Sequence, residues 1–267
     1  MLVNDYVSYE IITPDNSSDE FIRFLDKPGW FSKRFHPMFD KHRKEVHGVI
    51  FLIKARKKLD QATGSIYVEL QPNHTSFGNR IPIFGWLKAD NENVCRDLLE
   101  LATNYAKSKD FHEIRGPINE PHLFGGWGIQ MKSKNFPIMI DASSDPEYLA
   151  DWIKKAGFFH STTYFSLEIK RIAKFYCPLD FKNYQFISPT PSYLKENHAL
   201  RREINHLIQR NFLHLLPDHT LNKLDEINTV LQPIKNIEDF KILLQNKKTG
   251  KIIGAIQEIP NIFELWE

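Results

Sequence analysis

Hydrophobic and polar positions in the first 90 residues alternate between the patterns of strands and helices. The run from Val7 to Pro14 predicts a strand ended by proline, and SSDEFIRFL after it predicts a helix with acids in its first turn. An apolar strand, a turn at 59–64 and two more strands follow, and the polar segment NHTSFGN is predicted to be a loop between these two strands. Between Pro28 and Pro37 the aromatic residues have no clear period, so no element is predicted there.

The next eighty residues predict a strand between two helices and a strand at the end. From Asn91 to Lys107 apolar side chains recur at helical spacing, with Asp90 placed as the N-cap. FHEIRGPIN is typical of a strand, DPEYLADWIKKAGF of a helix that ends at Gly157, and FHSTTYFSLEIK of another strand. This order indicates a mixed α/β domain.

After Arg171 the order of elements begins again. YQFISPTP repeats the opening strand with its Thr-Pro end, helices are predicted over 199–216 and 224–230, and the segment 240–259 repeats the hairpin with its basic turn and Thr-Gly pair. Basic turns are common, so a chance similarity of the two hairpins remains the alternative. We expect a complete domain over 1–178 and a partial second domain over 179–267, which has only the early strands and helices.

Composition narrows the class of protein and its partners. Of 267 residues 42% are hydrophobic and 25% charged, which is typical of a packed globular chain. A net charge of +2 gives no field that would attract nucleic acid or an anionic membrane, and the apolar runs are too short to span a bilayer. The chain has two cysteines and no leader pattern, so we expect a cytoplasmic protein without a disulfide framework.

Three short segments carry a resemblance to a known family. FGW at 84–86, RGPIN at 115–119 and KAGF at 155–158, in this order of elements, resemble a family of uncharacterised microbial proteins built from two GNAT-like (N-acetyltransferase-related) units. The resemblance covers roughly residues 5–170 and extends weakly to the remainder. It implies a GNAT-like α/β fold, with a mixed sheet flanked by helices, followed by a second GNAT-like unit that is truncated here.

The resemblance also implies an activity, the transfer of an acyl group from acetyl-CoA or another acyl-CoA to an amine. The acyl-CoA would lie between two splayed parallel strands that end near Lys88 and Asn119. The family's glycine-containing loop for the CoA diphosphate corresponds to LKADNENV, where Asp90 and Glu92 put negative charge. The family's proton-donating tyrosine corresponds to Ile153. A noncatalytic binding or assembly module that has lost CoA binding is therefore the alternative function.

The candidate site residues lie at the end of the predicted strand FHEIRGPIN, next to a bend of the chain at Gly116. At a strand end of an open α/β sheet, Arg115 can bind a carboxylate or phosphate, Asn119 can orient an amide, and Gly116 bends the chain. With Trp86 they form the predicted ligand site, for a small-molecule amine or an anionic ligand, and Glu120 or a water is the candidate base. The alternative, that Arg115 caps carbonyl groups and Asn119 stabilises a turn, is equally open.

No metal site is predicted, because the three histidines 198, 206 and 214 lie roughly 12 Å apart along one helix. Tyr148 is interpreted as an interface or core aromatic, and the GGWG run at 125–128 as a mobile loop anchored by Trp127. The partial second unit has few apolar partners and an unpaired strand edge, so we expect it to self-associate.

Overall fold

The computed structural model describes residues 6–25, 29–55, 58–72, 74–76, 78–121, 125–129, 131, 145–163, 182–215, 218–220 and 240–258. These residues form a mixed α/β protein. Its strands are β1 (Tyr6–Ile12), β2 (Val49–Ala55), β3 (Lys58–Glu69), β4 (His74–Ser76), β5 (Ile83–Ala89), β6 (Tyr184–Ile187), β7 (Asp218–Thr220), β8 (Phe240–Asn246) and β9 (Ile252–Glu258). Its helices are α1 (Asp19–Leu25), α2 (Gly29–Glu45), α3 (Glu92–Lys107), α4 (Tyr148–Lys155), α5 (Pro191–Glu196) and α6 (His198–Leu215).

Two compact units divide the chain, one containing β1 to α4 together with β7, the other containing β6, β8 and β9. The predicted boundary at 178 and 179 lies outside the described residues, as do the predicted helix at 224–230 and most of the strand predicted after Phe159. The segment NHTSFGN was expected to be a loop, but three of its residues form β4, which pairs antiparallel with β7.

The first unit is built on a four-stranded sheet with the order β1-β2-β3-β5, in which neighbours are antiparallel. A short segment after α3 extends it in parallel. Ile83 and Arg115 form a parallel bridge, Phe84 N donates to Arg115 O over 2.7 Å, and Ile118 N donates to Phe84 O over 2.8 Å. The predicted strand FHEIRGPIN thus joins the sheet through a few backbone bonds only.

Helix α3 covers one face of this sheet with an apolar stripe. Its side chains Val94, Leu98 and Ala102 are fully buried against alternate residues of β2, β3 and β5, which point to the same face. The N-cap is Asn91, whose side chain accepts a hydrogen bond from Val94 N at 3.1 Å, so the prediction of Asp90 as the cap was wrong by one residue.

Helices α1 and α2 cover the other face. The sequence predicted no helix over Gly29–Glu45 because the aromatic residues between Pro28 and Pro37 have no clear period, yet α2 continues through Pro37. Aromatic contacts tie the helix to the sheet. Phe39 lies 4.9 Å from the Tyr67 ring and Phe35 lies 4.7 Å from the Trp86 ring, between ring centroids.

The hairpin of β2 and β3 turns earlier than predicted. Residues 59–64 belong to β3, and their pairing with β2 shifts register at Lys54 and again at Ala55. The polar residues and the Thr63-Gly64 pair that resembled a turn therefore lie in an irregular strand pair.

The second unit has a three-stranded antiparallel sheet with the order β6-β8-β9, and α5 and α6 follow β6 along the chain. As predicted, β8 and β9 form a hairpin whose turn ends at Gly250, which has a left-handed φ of 70°. In the first unit β1 pairs with β2 and β2 with β3; here β6 pairs with β8 and β8 with β9.

Candidate functional site

Strand β5 and the parallel segment after α3 part at Trp86. This residue has a left-handed φ of 47°, and the pairing of β5 with β3 shifts register beside it. Phe84 still exchanges backbone hydrogen bonds with the parallel segment, but Trp86 N donates to the side-chain oxygen of Asn119, Oδ1, over 2.5 Å. A backbone donor thus faces a side-chain carbonyl at the point where the strands diverge.

The side chains of Asn119 and Trp86 fill the crevice where β5 and the parallel segment diverge. Asn119 is 4% exposed, and its Nδ2 donates to Gly125 O over 2.8 Å. The Trp86 ring is buried, and its Nε1 donates to the backbone oxygen of Glu120 over 2.6 Å. Trp86, Asn119 and Glu120, three of the predicted site residues, therefore meet in one buried network.

Gly125 closes this network, and the sequence analysis did not identify its role. A Cβ there would lie 2.2 Å from Asn119 Cβ and 2.6 Å from the Trp86 ring, so only glycine fits. The GGWG run was expected to be a mobile loop, but backbone bonds hold it against the strand: Asn119 N donates to Gly126 O over 3.0 Å and Gly128 N to Pro117 O over 2.8 Å. The repeated glycines in that run were the available signal.

Arg115 and Gly116 lie where the parallel pairing begins. The guanidinium of Arg115 donates from Nε to Glu113 Oε1 over 2.7 Å and from Nη1 to Ser76 Oγ. A Cβ at Gly116 would lie 2.2 Å from Phe84 O, so glycine lets the two backbones approach. These contacts are structural, and a ligand at Arg115 would share the guanidinium with Glu113 and Ser76.

The start of α3 carries acidic side chains. Asp90 is exposed, and Glu92 Oε2 forms an exposed ion pair with Lys155 Nζ at 2.6 Å. The hydrogen bond from Lys155 to Glu92 raises the pKa of that lysine. In α4, Ile153 is buried, whereas Tyr148 is 50% exposed and lies against Trp152. Tyr148 is therefore not a core aromatic, and its interpretation as an interface aromatic stays a prediction.

A buried polar cluster, formed by His42, Arg43, Tyr67, Glu69 and Glu120, lies on the α2 side of the sheet. His42 Nε2 lies 2.6 Å from Glu69 Oε1, and both side chains are sealed from solvent. Burial raises the pKa of Glu69, although His42 opposes the shift. Burial raises the pKa of Tyr67 still further, with the charge of Glu69 adding to it, and Glu120 raises the pKa of both.

Sequence reasoning did not find this cluster. Tyr67 and Glu69 fall in one of the predicted strands, and no pattern in the sequence singled out His42. The available signal was the pair of polar side chains at i and i+2 of an otherwise apolar strand, which places both on one face.

Among the residues that the structure describes, no group of three or more histidine, cysteine, aspartate or glutamate side chains is placed to hold a metal ion. Within the same residues no helix is long and apolar enough to cross a bilayer.

The sequence matches no protein-family model and no curated protein. Among solved structures, it is similar to glucosamine-6-phosphate N-acetyltransferase from Arabidopsis thaliana, with 11% identity and a TM-score of 0.36. An acetyltransferase from Trypanosoma brucei is similar with 13% identity and a TM-score of 0.37. Each covers 61% of this chain and 100% of its own. Sequence identities and TM-scores this low carry no inference about function.

Proposed function

We propose that this chain is a GNAT-like N-acyltransferase that moves an acyl group from acetyl-CoA or another acyl-CoA to an amine. The observation that carries the proposal is the Trp86 N–H, which lies where β5 and the parallel segment after α3 part and donates to a carboxamide oxygen. Ligands of open α/β sheets bind where parallel strands end and diverge. A thioester carbonyl is the same kind of acceptor as Asn119 Oδ1, so it can take that place when the Asn119 side chain turns aside.

A backbone donor in this position favours acyl transfer. When an amine attacks a thioester, negative charge develops on the carbonyl oxygen, and a fixed N–H aimed at that oxygen stabilises it. Glu120 follows Asn119 directly, is 2% exposed, and accepts a hydrogen bond from the same tryptophan through its backbone oxygen, which supports it as the candidate base. Trp86 and Asn119 would then form the carbonyl site, and Gly116 the close backbone approach behind it.

The acidic start of α3 favours binding of an acyl-CoA through its thioester and not through its diphosphate. Asp90 and Glu92 place carboxylates where the positive end of the helix would otherwise attract phosphate. We therefore expect S-acetyl-N-acetylcysteamine, which has the thioester and no diphosphate, to bind about as tightly as acetyl-CoA.

The test measures thiol release and binding with both thioesters. Each is incubated with the protein and a panel of primary amines, and free thiol is followed by a colorimetric reagent; calorimetry measures binding without amine. Turnover above the protein-free rate with at least one amine supports the proposal. No thiol release with any amine from either thioester would refute it.

A noncatalytic binding or assembly module is the second candidate, and the filled crevice favours it. Asn119, Gly125 and the Trp86 ring occupy the space between the strands, and the Arg115 guanidinium is bound by Glu113 and Ser76. Such a module would bind neither thioester. Saturable binding of acetyl-CoA or of its short analogue in calorimetry excludes this candidate.

We also propose that the segment 179–267 is a partial GNAT-like unit that mediates self-association. Its support is the pairing of β6, β8 and β9, which has the same antiparallel order as β1, β2 and β3. It exposes Phe186 by 50% and Tyr193 by 53%. Sedimentation velocity of the full chain should show association that increases with concentration and weakens in Phe186→Lys. A monomer at every concentration would contradict it.

A further inference from the structure

The sheet of the second unit has a covered face and an open face. Leu243 of β8 and Ile252 of β9 are buried, and Ile252 N donates to Glu203 Oε1 of α6 over 2.9 Å, so the helix lies against this pair of strands. Side chains alternate across a strand, so Leu244 points to the other face. On that face Phe186, which is opposite Leu244 in the register, is 50% exposed. The face of the sheet away from α6 therefore presents an aromatic ring to solvent.

Two aromatic residues of β6 share this open face. Tyr184 and Phe186 are two positions apart, so their side chains point the same way and their Cα atoms are roughly 6.6 Å apart. Opposite them in β8 are Asn246 and Leu244, and opposite Leu244 in β9 is Gly254, which has no side chain. The short neighbours leave room for a planar group against the two aromatic residues.

A lysine cluster lies at the end of the sheet where β6 begins and where β8 turns into β9. Lys247 N donates to Asn183 O over 2.8 Å, so the turn is beside the residues that precede β6. Glu203 is on the α6 side, and Glu258 is at the other end of the hairpin, opposite Phe240. Positive charge is thus concentrated at one end of the open face. The exposed residues of the lysine cluster are Lys182, Lys247, Lys248 and Lys251.

The turn that carries three of these lysines is held by its own hydrogen bonds. Asn246 Oδ1 accepts from Lys248 N and from Thr249 N, each at 3.0 Å, and Gly250 N donates to Asn246 O over 2.8 Å. Because these bonds fix the backbone, an anion that binds the lysines has less of the protein to order than it would on a flexible tail.

The combination of aromatic residues and lysines favours a single-stranded nucleic acid as the partner. Its bases can stack on aromatic side chains, while lysines neutralise its phosphates. Bases in a duplex are stacked on one another, so their faces cannot reach Tyr184 and Phe186. The net charge of +2 gives the whole chain no general attraction for a polyanion, so the attraction must come from the lysine cluster itself.

We propose that the open face of the β6-β8-β9 sheet binds single-stranded nucleic acid, with bases against Tyr184 and Phe186 and phosphates at the lysine cluster. This activity goes beyond acyl transfer and does not depend on it. Phe186 is also the residue proposed for self-association, so a bound strand and a second copy of the chain would compete for it. Saturating oligonucleotide should therefore reduce the association seen in sedimentation velocity.

The test is fluorescence anisotropy of labelled oligouridine and oligothymidine of about 12 nucleotides, titrated with the full chain. The affinity is measured at several salt concentrations between roughly 50 and 200 mM. Lys247→Gln combined with Lys248→Gln should weaken binding, and should lower the slope of log affinity against log salt by about 0.7 for each lost phosphate contact. Phe186→Leu keeps an apolar side chain and loses the ring, so the affinity should fall roughly 5- to 100-fold with an unchanged slope.

Each variant has a matched control in the first unit. Lys107→Gln combined with Lys109→Gln removes the same charge from exposed positions at the end of α3 and just beyond it. Tyr9→Leu removes an aromatic ring that is 58% exposed on β1. Both controls should bind the oligonucleotides as the wild type does. Because Phe186 is half exposed, its replacement by leucine leaves the buried residues of the second unit in place, and equal melting temperatures check this.

The remaining outcomes would overturn the proposal. No binding of either oligonucleotide at the lowest salt concentration refutes it. An equal loss of affinity in the lysine variant and its control would show that only the overall charge matters. Wild-type affinity in Phe186→Leu, or equal affinity for a duplex of the same length, would exclude stacking on the open face. Vesicles containing phosphatidylserine serve as a competitor, and binding to them that exceeds binding to both oligonucleotides and requires the same residues would assign the surface to a membrane.

Discussion

Replacing Asn119 by alanine tests the buried network between the diverging strands. The wild-type side chain accepts from Trp86 N over 2.5 Å and donates to Gly125 O over 2.8 Å, and it is 4% exposed. Alanine leaves a buried N–H and a buried carbonyl without these partners. Each orphaned group costs about 1 to 3 kcal/mol, so we expect a loss of roughly 2 to 5 kcal/mol in the free energy of unfolding, since entering water recovers part of the cost.

The assay for Asn119→Ala is urea unfolding followed by tryptophan fluorescence, with the slope m compared between variants. Asn104→Ala is the matched control, because Asn104 is exposed on α3, and we expect it to change stability by less than about 0.5 kcal/mol. Asn119→Ala also frees the Trp86 N–H. This variant should therefore bind S-acetyl-N-acetylcysteamine more tightly than the wild type, although its free energy of unfolding is lower. An Asn119→Ala protein as stable as the control would show that the two hydrogen bonds do not hold the strands, and the account of the crevice would be wrong.

Three further predictions concern other positions. Arg115→Lys loses the planar guanidinium that donates to two partners, so it should lower the melting temperature and leave the dissociation constants of both thioesters nearly unchanged. An unchanged melting temperature with weaker thioester binding would make Arg115 a ligand-binding residue. Gly125→Ala should destabilise by about 1 to 3 kcal/mol because its Cβ would lie 2.2 Å from a neighbouring side chain, whereas Gly254→Ala, whose Cβ would have ordinary contacts at 3.4 Å, should be tolerated, as denaturant melts would show. Burial raises the pKa of Cys95 to about 12, so in a Cys177→Ser variant this thiol should react with a disulfide reagent at pH 8 only as fast as the protein unfolds; rapid labelling of the native state would contradict its burial.

Most of the strand order could be predicted from the sequence, because apolar alternation and turn residues are local signals. Helix α2 could not be recognised as readily. Its aromatic residues show no clear period, and its buried stripe mixes them with a histidine and an arginine, which a search for apolar periodicity counts as polar. The buried residues of that stripe, which recur at helical spacing, are Phe35, Phe39, His42, Arg43 and Val46.

The site residues were predicted only in part, because some of their contacts join residues that are far apart in the sequence. Asn119 and Glu120 stand beside a recognisable Gly-Pro bend, so they could be singled out. Trp86 was singled out too, but its hydrogen bond to Asn119, 33 residues away, was not predicted. The contact of His42 with Glu69, 27 residues apart, was not predicted either. Contacts at such distances depend on how the sheet and helix pack, which no local pattern specifies.

The two faces of the first sheet differ in a way that bears on function. The α3 face is a continuous apolar core. Its buried residues, such as Val49, Phe51, Val68 and Leu98, contribute hydrophobic packing. The α2 face of the same strands instead contains the buried polar cluster. A sheet selected only for stability would place apolar side chains on both faces, because burying charged groups gains less than burying apolar ones. Among the described residues of this sheet, the buried polar groups are concentrated on the face that carries the Trp86 ring, whereas the α3 face contributes packing.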